Sequence, residues 1–118
     1  MTQRDKELLE RDLSCRIPYG VIVNVDGKYN VRLESVNWYE EVSVDDGSND
    51  LYTISEVKPY LFPLLSMTEE QQTNLTKFVA NGITGENILY DWYNKNHFDY
   101  RGLIEKGLAI DATGLNIY

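Results

Sequence analysis

Hydrophobic positions near the amino terminus recur with the period of a helix over residues 2–14, and charged residues occupy most of the other positions. The leucines on the apolar side are Leu8, Leu9 and Leu13. Thr2, with Asp5 three residues later, is typical of the residue that caps a helix at its amino end. Pro18 disfavours helical geometry in the residue before it. The pattern predicts one amphipathic helix that ends before Pro18.

From residue 19 to residue 53 the hydrophobic positions alternate, which is the period of strands. The apolar positions of the first two predicted strands are Val21, Val23, Val25, Tyr29, Val31, Leu33 and Val36. Asp26-Gly27 between them is a strong hairpin signal. A third strand is predicted over residues 38–44 and a short fourth over residues 51–54. Because sheets twist, such a meander is expected to curl or to form a small, partly open barrel.

The chain after residue 55 changes to helical features. Residues 55–60 predict a helical turn stopped by Pro59, and residues 60–65 predict a buried apolar connector. Thr68 and Gln71 match a capping box, which begins a helix that ends at Gly82. The apolar face of that helix consists of Leu75, Phe78 and Val79.

A second helix is predicted from Thr84, and Asp99 is placed to cap a last short helix over residues 100–106. The apolar stripe of the helix from Thr84 consists of Ile88, Leu89, Trp92 and Tyr93. Gly102 would lie inside the last helix and Gly107 just beyond it. With no repeat or linker, the sequence predicts a single domain over residues 1–118. Its class is α+β: an N-terminal helix, a curled antiparallel sheet or small barrel of three to five strands, and a helical C-terminal half.

The charge of the chain is strongly acidic. Nineteen acidic and eleven basic residues give a formal net charge of −8, and residues 26–58 alone hold eight acids and three bases. No segment carries the basic stripe that contact with a nucleic-acid backbone requires, so direct nucleic-acid binding is not expected. The ordinary explanation of this charge is solubility. The alternative is that the acidic surface binds a basic partner or mimics DNA.

Cys15 is the only cysteine, so the sequence provides no internal disulfide and no cysteine-based zinc site. A buried, inert thiol is expected at the end of the first helix. The charged amino terminus does not resemble a signal peptide, and no run approaches the ~20 apolar residues needed to cross a bilayer. These features predict a cytoplasmic protein without a membrane partner.

An aromatic block from Tyr90 to Arg101 holds five of the fourteen aromatic residues and the only histidine, His97. His97 and Asp99 could form an acid–base pair, since a carboxylate orients an imidazole and raises its basicity. The alternative is that His97 closes a helix C-terminus, where the helix dipole favours an imidazolium. His97, Tyr100 and Arg101 are the candidate binding residues of this block.

A second candidate is the pair Trp38 and Tyr39, which is followed by two glutamates. The two rings could mark a ligand face of the sheet, or they could point to opposite faces of one strand with only one ring exposed. The acidic turn of residues 45–50 lacks the ligand spacing of a calcium loop. No glycine motif for phosphate is present, so neither a metal nor a cofactor is predicted.

Several longer segments resemble a known family. KPYLFPL followed by SMTEEQ, and later NHFDYRGLIEKGLAID, is similar to a family of small proteins encoded by gut anaerobic bacteria and their prophages. The RIPYGV segment near the first helix fits the same family. This chain departs at Phe62, where the family often has a basic residue, and at Leu65, where it often has serine. The resemblance implies a phage or mobile-element context and no particular activity.

The sequence therefore predicts a non-catalytic protein-interaction or accessory module with an unidentified protein partner. Two alternatives remain open at this point. One is a small enzyme that uses His97 and Asp99, and the other is an acidic inhibitor that mimics DNA against a nucleic-acid enzyme. No residue pattern indicates the oligomeric state.

Overall fold

The computed structural model describes residues 1–81 and 86–118, and these form an α+β fold. The helices are α1 (Gln3–Arg16), α2 (Glu69–Asn81) and α3 (Glu86–Lys95). The strands are β1 (Ile22–Val25), β2 (Tyr29–Val36), β3 (Glu41–Val44), β4 (Tyr52–Thr53), β5 (Val57–Pro63), β6 (Phe98–Asp99) and β7 (Ile110–Asp111). They form one sheet in the order β4-β3-β2-β1-β5-β6, and β7 also pairs with β5. The predicted N-terminal helix, curled and mainly antiparallel sheet and later helices are confirmed.

The β1–β2 hairpin has the geometry that its sequence predicts. Asp26 and Gly27 have φ angles of 52° and 69°, as a tight hairpin turn requires. Val23 pairs with Val31 across the hairpin, and Val23 and Val25 are buried. Successive strand residues point to opposite faces, so this register sends one face of the sheet into the core.

The core lies between that face of the sheet and α1. Thr2 and Asp5 form a reciprocal capping box at the start of α1, as predicted. Leu9 and Leu13 of α1 are fully buried, and they belong to the same hydrophobic cluster as Val42 and other sheet residues. The helix therefore covers this face of the sheet and continues two residues beyond the predicted end, to Arg16.

The third strand begins at Glu41 rather than at residue 38. The Asn37 side-chain oxygen accepts hydrogen bonds from the backbone N–H groups of Tyr39 and Glu41, at 2.9 and 3.0 Å. Glu40 has a φ of +60°. These bonds offer the backbone an alternative to the strand ladder, so residues 37–40 form a turn.

The prediction of a helical turn stopped by Pro59 was wrong. A 3-10 turn over Ile54–Glu56 is followed by strand β5, which contains Pro59 and most of the apolar connector. β5 pairs antiparallel with β1 and parallel with β6 and β7. Its partners in β6 and β7 lie far along the chain, so no local pattern indicates that this segment is a strand.

The helical half is shorter than predicted. Thr68 and Gln71 form the predicted capping box of α2, whereas the predicted helix end at Gly82 and helix start at Thr84 lie outside the described residues. Residues 100–106 form turns rather than a helix, and Gly102 has a φ of +72°, which explains a glycine there. No helix of the described ranges is long and apolar enough to cross a membrane.

The position of β5 leads to a stability prediction with an internal control. Leu61 is fully buried in β5, and Leu65, four residues later, is fully exposed. Leu61→Ala is expected to lower the free energy of unfolding by about 2–5 kcal/mol, because it removes buried methyl groups and leaves a cavity. Leu65→Ala is expected to change it by less than about 0.5 kcal/mol. Urea unfolding of both variants measures the difference, and equal effects would contradict the placement of β5 in the core.

Candidate functional site

A buried ion cluster of Asp12, Arg16 and Arg101 joins α1 to the loop after β6. Arg16 Nε and Nη2 donate to the two carboxylate oxygens of Asp12 at 2.8 and 3.1 Å, and both side chains are fully buried. Arg101 Nε donates to the same carboxylate at 3.2 Å. Arg16 Nη2 also donates to the Phe98 carbonyl at 2.7 Å. One carboxylate therefore holds two guanidinium groups, which we call the Asp12 cluster.

Tyr100 is packed among cations and other aromatic rings beside this cluster. Its ring centroid lies 5.4 Å from Arg16 Cζ and 4.9 Å from Arg101 Cζ, within the range of cation–π attraction. Tyr90 and Tyr93 of α3 stack on the same ring at centroid distances of 5.0 and 5.6 Å. This stacking holds α3 against the loop that carries Arg101.

A groove of about 390 Å³ opens beside the Asp12 cluster, between the end of α1, α3 and the loop after β6. We call it the Arg101 groove. Its lining residues are Ser14, Cys15, Pro18, Tyr19, Tyr90, Asp91, Asn94, Tyr100 and Arg101. The predicted candidates Tyr100 and Arg101 therefore come together in one concave site, whereas His97, Trp38 and Tyr39 do not line this groove.

The prediction of a buried Cys15 was wrong, because the thiol is exposed in this groove. Arg101 Nη2 lies 3.9 Å from Cys15 Sγ, within hydrogen-bond range for sulfur. α1 turns its Asp12 and Arg16 side toward the protein interior, since those two residues pair there. The side that carries Cys15 therefore faces the groove.

His97 and Asp99 do not form the predicted acid–base pair. Asp99 accepts hydrogen bonds from the backbone N–H groups of Leu103 and Ile104, at 2.9 and 3.0 Å. The prediction that Asp99 caps a helix over residues 100–106 was wrong, because these bonds hold a series of turns. His97 Nδ1 is buried and has no hydrogen-bond partner among the described residues. The imidazole instead stacks on the Tyr118 ring, with centroids 3.6 Å apart.

Burial, reinforced by the positive charge of Arg16, lowers the pKa of His97 from 6.5 to about 4. The imidazole is therefore neutral near pH 7, so the alternative of an imidazolium favoured by a helix dipole was also wrong. His97 does follow the end of α3. Its backbone N–H donates to the Asn94 backbone carbonyl at 3.2 Å, and its φ is +63°. Its place at a helix end was right, and its charge was not.

Trp38 and Tyr39 lie in the turn between β2 and β3, and their side chains are 95% and 84% exposed. The alternative in which they occupy opposite faces of one strand was wrong, because neither residue is in a strand. Two large aromatic side chains therefore stand in solvent at one end of the sheet.

The sequence interpretation missed Asp12, Arg16 and Asn94. The first two are an opposite-charge pair at the i, i+4 spacing that brings side chains together on a helix, so the signal was present. Their burial was not signalled, because it depends on Phe98 and Arg101 from the other end of the chain. Within residues 1–81 and 86–118, no group of three or more His, Cys, Asp or Glu side chains could hold a metal ion.

The Asp12 cluster leads to a matched prediction. Asp12→Asn is expected to lower the free energy of unfolding by about 3–5 kcal/mol, because it leaves two guanidinium groups without their buried counter-charge. Asp45→Asn is the control, since Asp45 pairs with Arg32 at the surface with both side chains about half exposed. That change is expected to cost about 0–1 kcal/mol. Chemical denaturation measures both, and equal costs would contradict a buried cluster.

The lowered pKa of His97 predicts a pH dependence of stability. Between about pH 6.5 and pH 4 the unfolded chain binds a proton that the folded chain does not, so stability falls as the pH falls through this window and levels off below it. NMR titration of the single histidine should show an inflection near pH 4. Because carboxylates titrate in an adjacent range of pH, His97→Asn is the control. Asparagine is chosen because it tolerates the positive φ of this position. The unfolding free energy of His97→Asn should lose part of this pH dependence. In the unmodified protein, an NMR inflection near pH 6.5 would contradict the burial of His97.

Comparison with protein-family models, curated proteins and solved structures finds no match to this chain. Function is therefore inferred from the side chains that the fold brings together and from those that it leaves exposed.

Proposed function

We propose that this protein is a non-catalytic binding module that inserts Trp38 and Tyr39 into a protein partner with a basic surface. The observation that carries this proposal is the 95% exposure of Trp38 beside the 84% exposure of Tyr39. Large aromatic side chains are among the strongest contributors to protein interfaces, because each buries much area and loses little conformational freedom. We call residues 37–40 the aromatic turn.

The aromatic turn is held in one conformation before any partner binds. The Asn37 side chain accepts from the backbone of Tyr39 and Glu41 and donates to the Glu41 carboxylate at 3.0 Å. The backbone N–H of Ile54 donates to the Glu40 carbonyl at 2.9 Å, and Gln3 Nε2 donates to the Glu40 side chain at 3.0 Å. A turn ordered in advance loses less entropy on binding, which raises affinity.

The charge around the aromatic turn favours a basic partner. Glu40 and Glu41 belong to the turn and to the strand that follows, and Glu34 is exposed on β2. The whole chain has a formal net charge of −8. Complementary charge accelerates association with a cationic surface and disfavours anionic ones. An accessory role in a phage or mobile element, suggested by the family resemblance, is compatible with such a module.

The two alternative functions have less support. An enzyme that uses His97 and Asp99 lacks the required hydrogen bond, because the Asp99 carboxylate binds the backbone of residues 103 and 104. An acidic mimic of DNA would also bind a basic protein, but its contacts would be carboxylates rather than aromatic rings. Substitutions in the aromatic turn separate these two forms of recognition.

The test uses three immobilised forms of the protein in affinity capture from host lysate, followed by quantitative mass spectrometry. The forms are the unmodified protein, the double variant Trp38→Ala/Tyr39→Ala, and Leu65→Ala, which removes a fully exposed apolar side chain elsewhere. A basic protein should be retained by the first and third forms and lost from the second. Its affinity for Trp38→Ala should be at least ~30-fold weaker, which corresponds to a hot-spot residue.

Exposed side chains contribute little to folding, so the double variant should unfold at the same urea concentration as the unmodified protein. This result would show that lost binding is not lost structure. Equal retention of the partner by all three forms would overturn the role of the aromatic turn. Retention by all three forms that is lost at high salt would favour the DNA-mimic alternative, because contacts between exposed charges are screened by salt.

A further inference from the structure

The Arg101 groove is lined by charges of both signs, on two different elements of the fold. Arg101, from the loop after β6, supplies a guanidinium, and Asp91 supplies an exposed carboxylate from α3. Arg101 Nε donates a hydrogen bond to Asp12, and Nη2 donates to the Tyr100 hydroxyl and to Cys15 Sγ. Its remaining nitrogen, Nη1, makes no hydrogen bond to the described residues. One element thus has an available cationic donor, and the other has an available anionic acceptor.

Asn94 supplies an independent sign that the groove takes a ligand. Its side chain lines the groove but is only 4% exposed, and its Oδ1 has no hydrogen-bond partner among the described residues. Buried polar groups are nearly always hydrogen-bonded, so an unpartnered acceptor just beneath the groove surface calls for a donor, which a bound molecule supplies when the amide turns toward it. Asn94 follows Asp91 by three residues on α3, a spacing that places both side chains on one side of the helix.

We propose that the Arg101 groove binds a free α-amino acid with an aromatic or aliphatic side chain. The carboxylate of the ligand pairs with Arg101. Its ammonium group donates to Asp91 and, once the Asn94 amide turns toward the groove, to Asn94 Oδ1. The apolar side chain packs against Tyr19 and Tyr90. A volume of about 390 Å³ is at the lower end of the range of small-molecule sites, and an amino acid suits it.

The presence of both charges disfavours simpler ions in the groove. A small anion would meet the Asp91 carboxylate, and a small cation would meet the Arg101 guanidinium. A zwitterion satisfies both charges, and guanidinium–carboxylate pairs combine charge with directional hydrogen bonds. The stacking of Tyr90 on Tyr100 fixes the two charges relative to each other, because these residues directly precede Asp91 and Arg101 in the chain.

The experiment is a titration of the ¹⁵N-labelled protein, followed by amide chemical shifts, with three probes. These are L-phenylalanine, N-acetyl-L-phenylalanine, which lacks the ammonium group, and L-phenylalaninamide, which lacks the carboxylate. L-Phenylalanine should give saturable shifts at Asp91, Asn94 and Arg101. Each derivative should bind roughly tenfold or more weakly, because it leaves one charged group of the groove without its partner.

Two variants that each remove one negative charge test whether Asp91 binds the ammonium group of the ligand. Asp91→Asn should reduce the preference for L-phenylalanine over its N-acetyl derivative to less than about threefold, because the carboxylate that pairs with the ammonium group has been removed. Asp50→Asn, in the exposed turn after β3, should keep the full preference. Both residues are exposed, so both variants should retain the spectrum of the folded protein.

Three results would overturn the proposal: no saturable shift up to about 10 mM ligand, equal binding of the three probes, or unchanged discrimination in Asp91→Asn. Trp38→Ala should bind L-phenylalanine as the unmodified protein does, because the groove does not include the aromatic turn. Failure of the proposed protein interaction and failure of amino-acid binding are therefore separate outcomes.

Discussion

The buried carboxylate of Asp12 is the constraint on which the Arg101 groove and the segments around it depend. A fully buried guanidinium requires a counter-charge and hydrogen bonds, and Asp12 supplies both to Arg16. Arg16 then reaches the Phe98 carbonyl, which ties the end of α1 to β6, and Arg101 adds a second cation to the same carboxylate. These contacts hold the end of α1 against β6 and the loop that follows it, and the stacking of Tyr90 and Tyr93 on Tyr100 adds α3, so that the Arg101 groove forms between them.

The remaining architecture is set by pairing to β5 and by a few residues with positive φ. β5 joins β1 to β6 and β7, so it connects the N-terminal meander to the last part of the chain. Glu40 and His97 adopt positive φ without being glycine, at 60° and 63°. Such backbones are retained where surrounding contacts hold them. Both residues stand next to candidate functional groups, in the aromatic turn and at the end of α3.

The two candidate surfaces have different physical character. The aromatic turn is exposed and acidic, which suits a large partner that encloses the two rings. The Arg101 groove is concave and carries both charges, which suits a small zwitterion. His97 belongs to neither, since it is neutral and stacked on Tyr118. Its ring packs against Tyr118 of the carboxyl-terminal segment.

The sequence by itself determined the elements whose signals are local. The leucine spacing of α1, the Asp26-Gly27 turn, the valine alternation of β1 and β3, and the capping boxes each depend on neighbours within a few residues. Tertiary structure alone decided which polar groups are buried and which aromatic rings are exposed. Asp12 is buried because Arg101 meets it from 89 positions away. Trp38 is exposed in a turn to which Gln3 and Ile54 bind from other segments through Glu40. Contacts between distant segments leave no periodic trace in the sequence, so the groove could be found only in the folded chain.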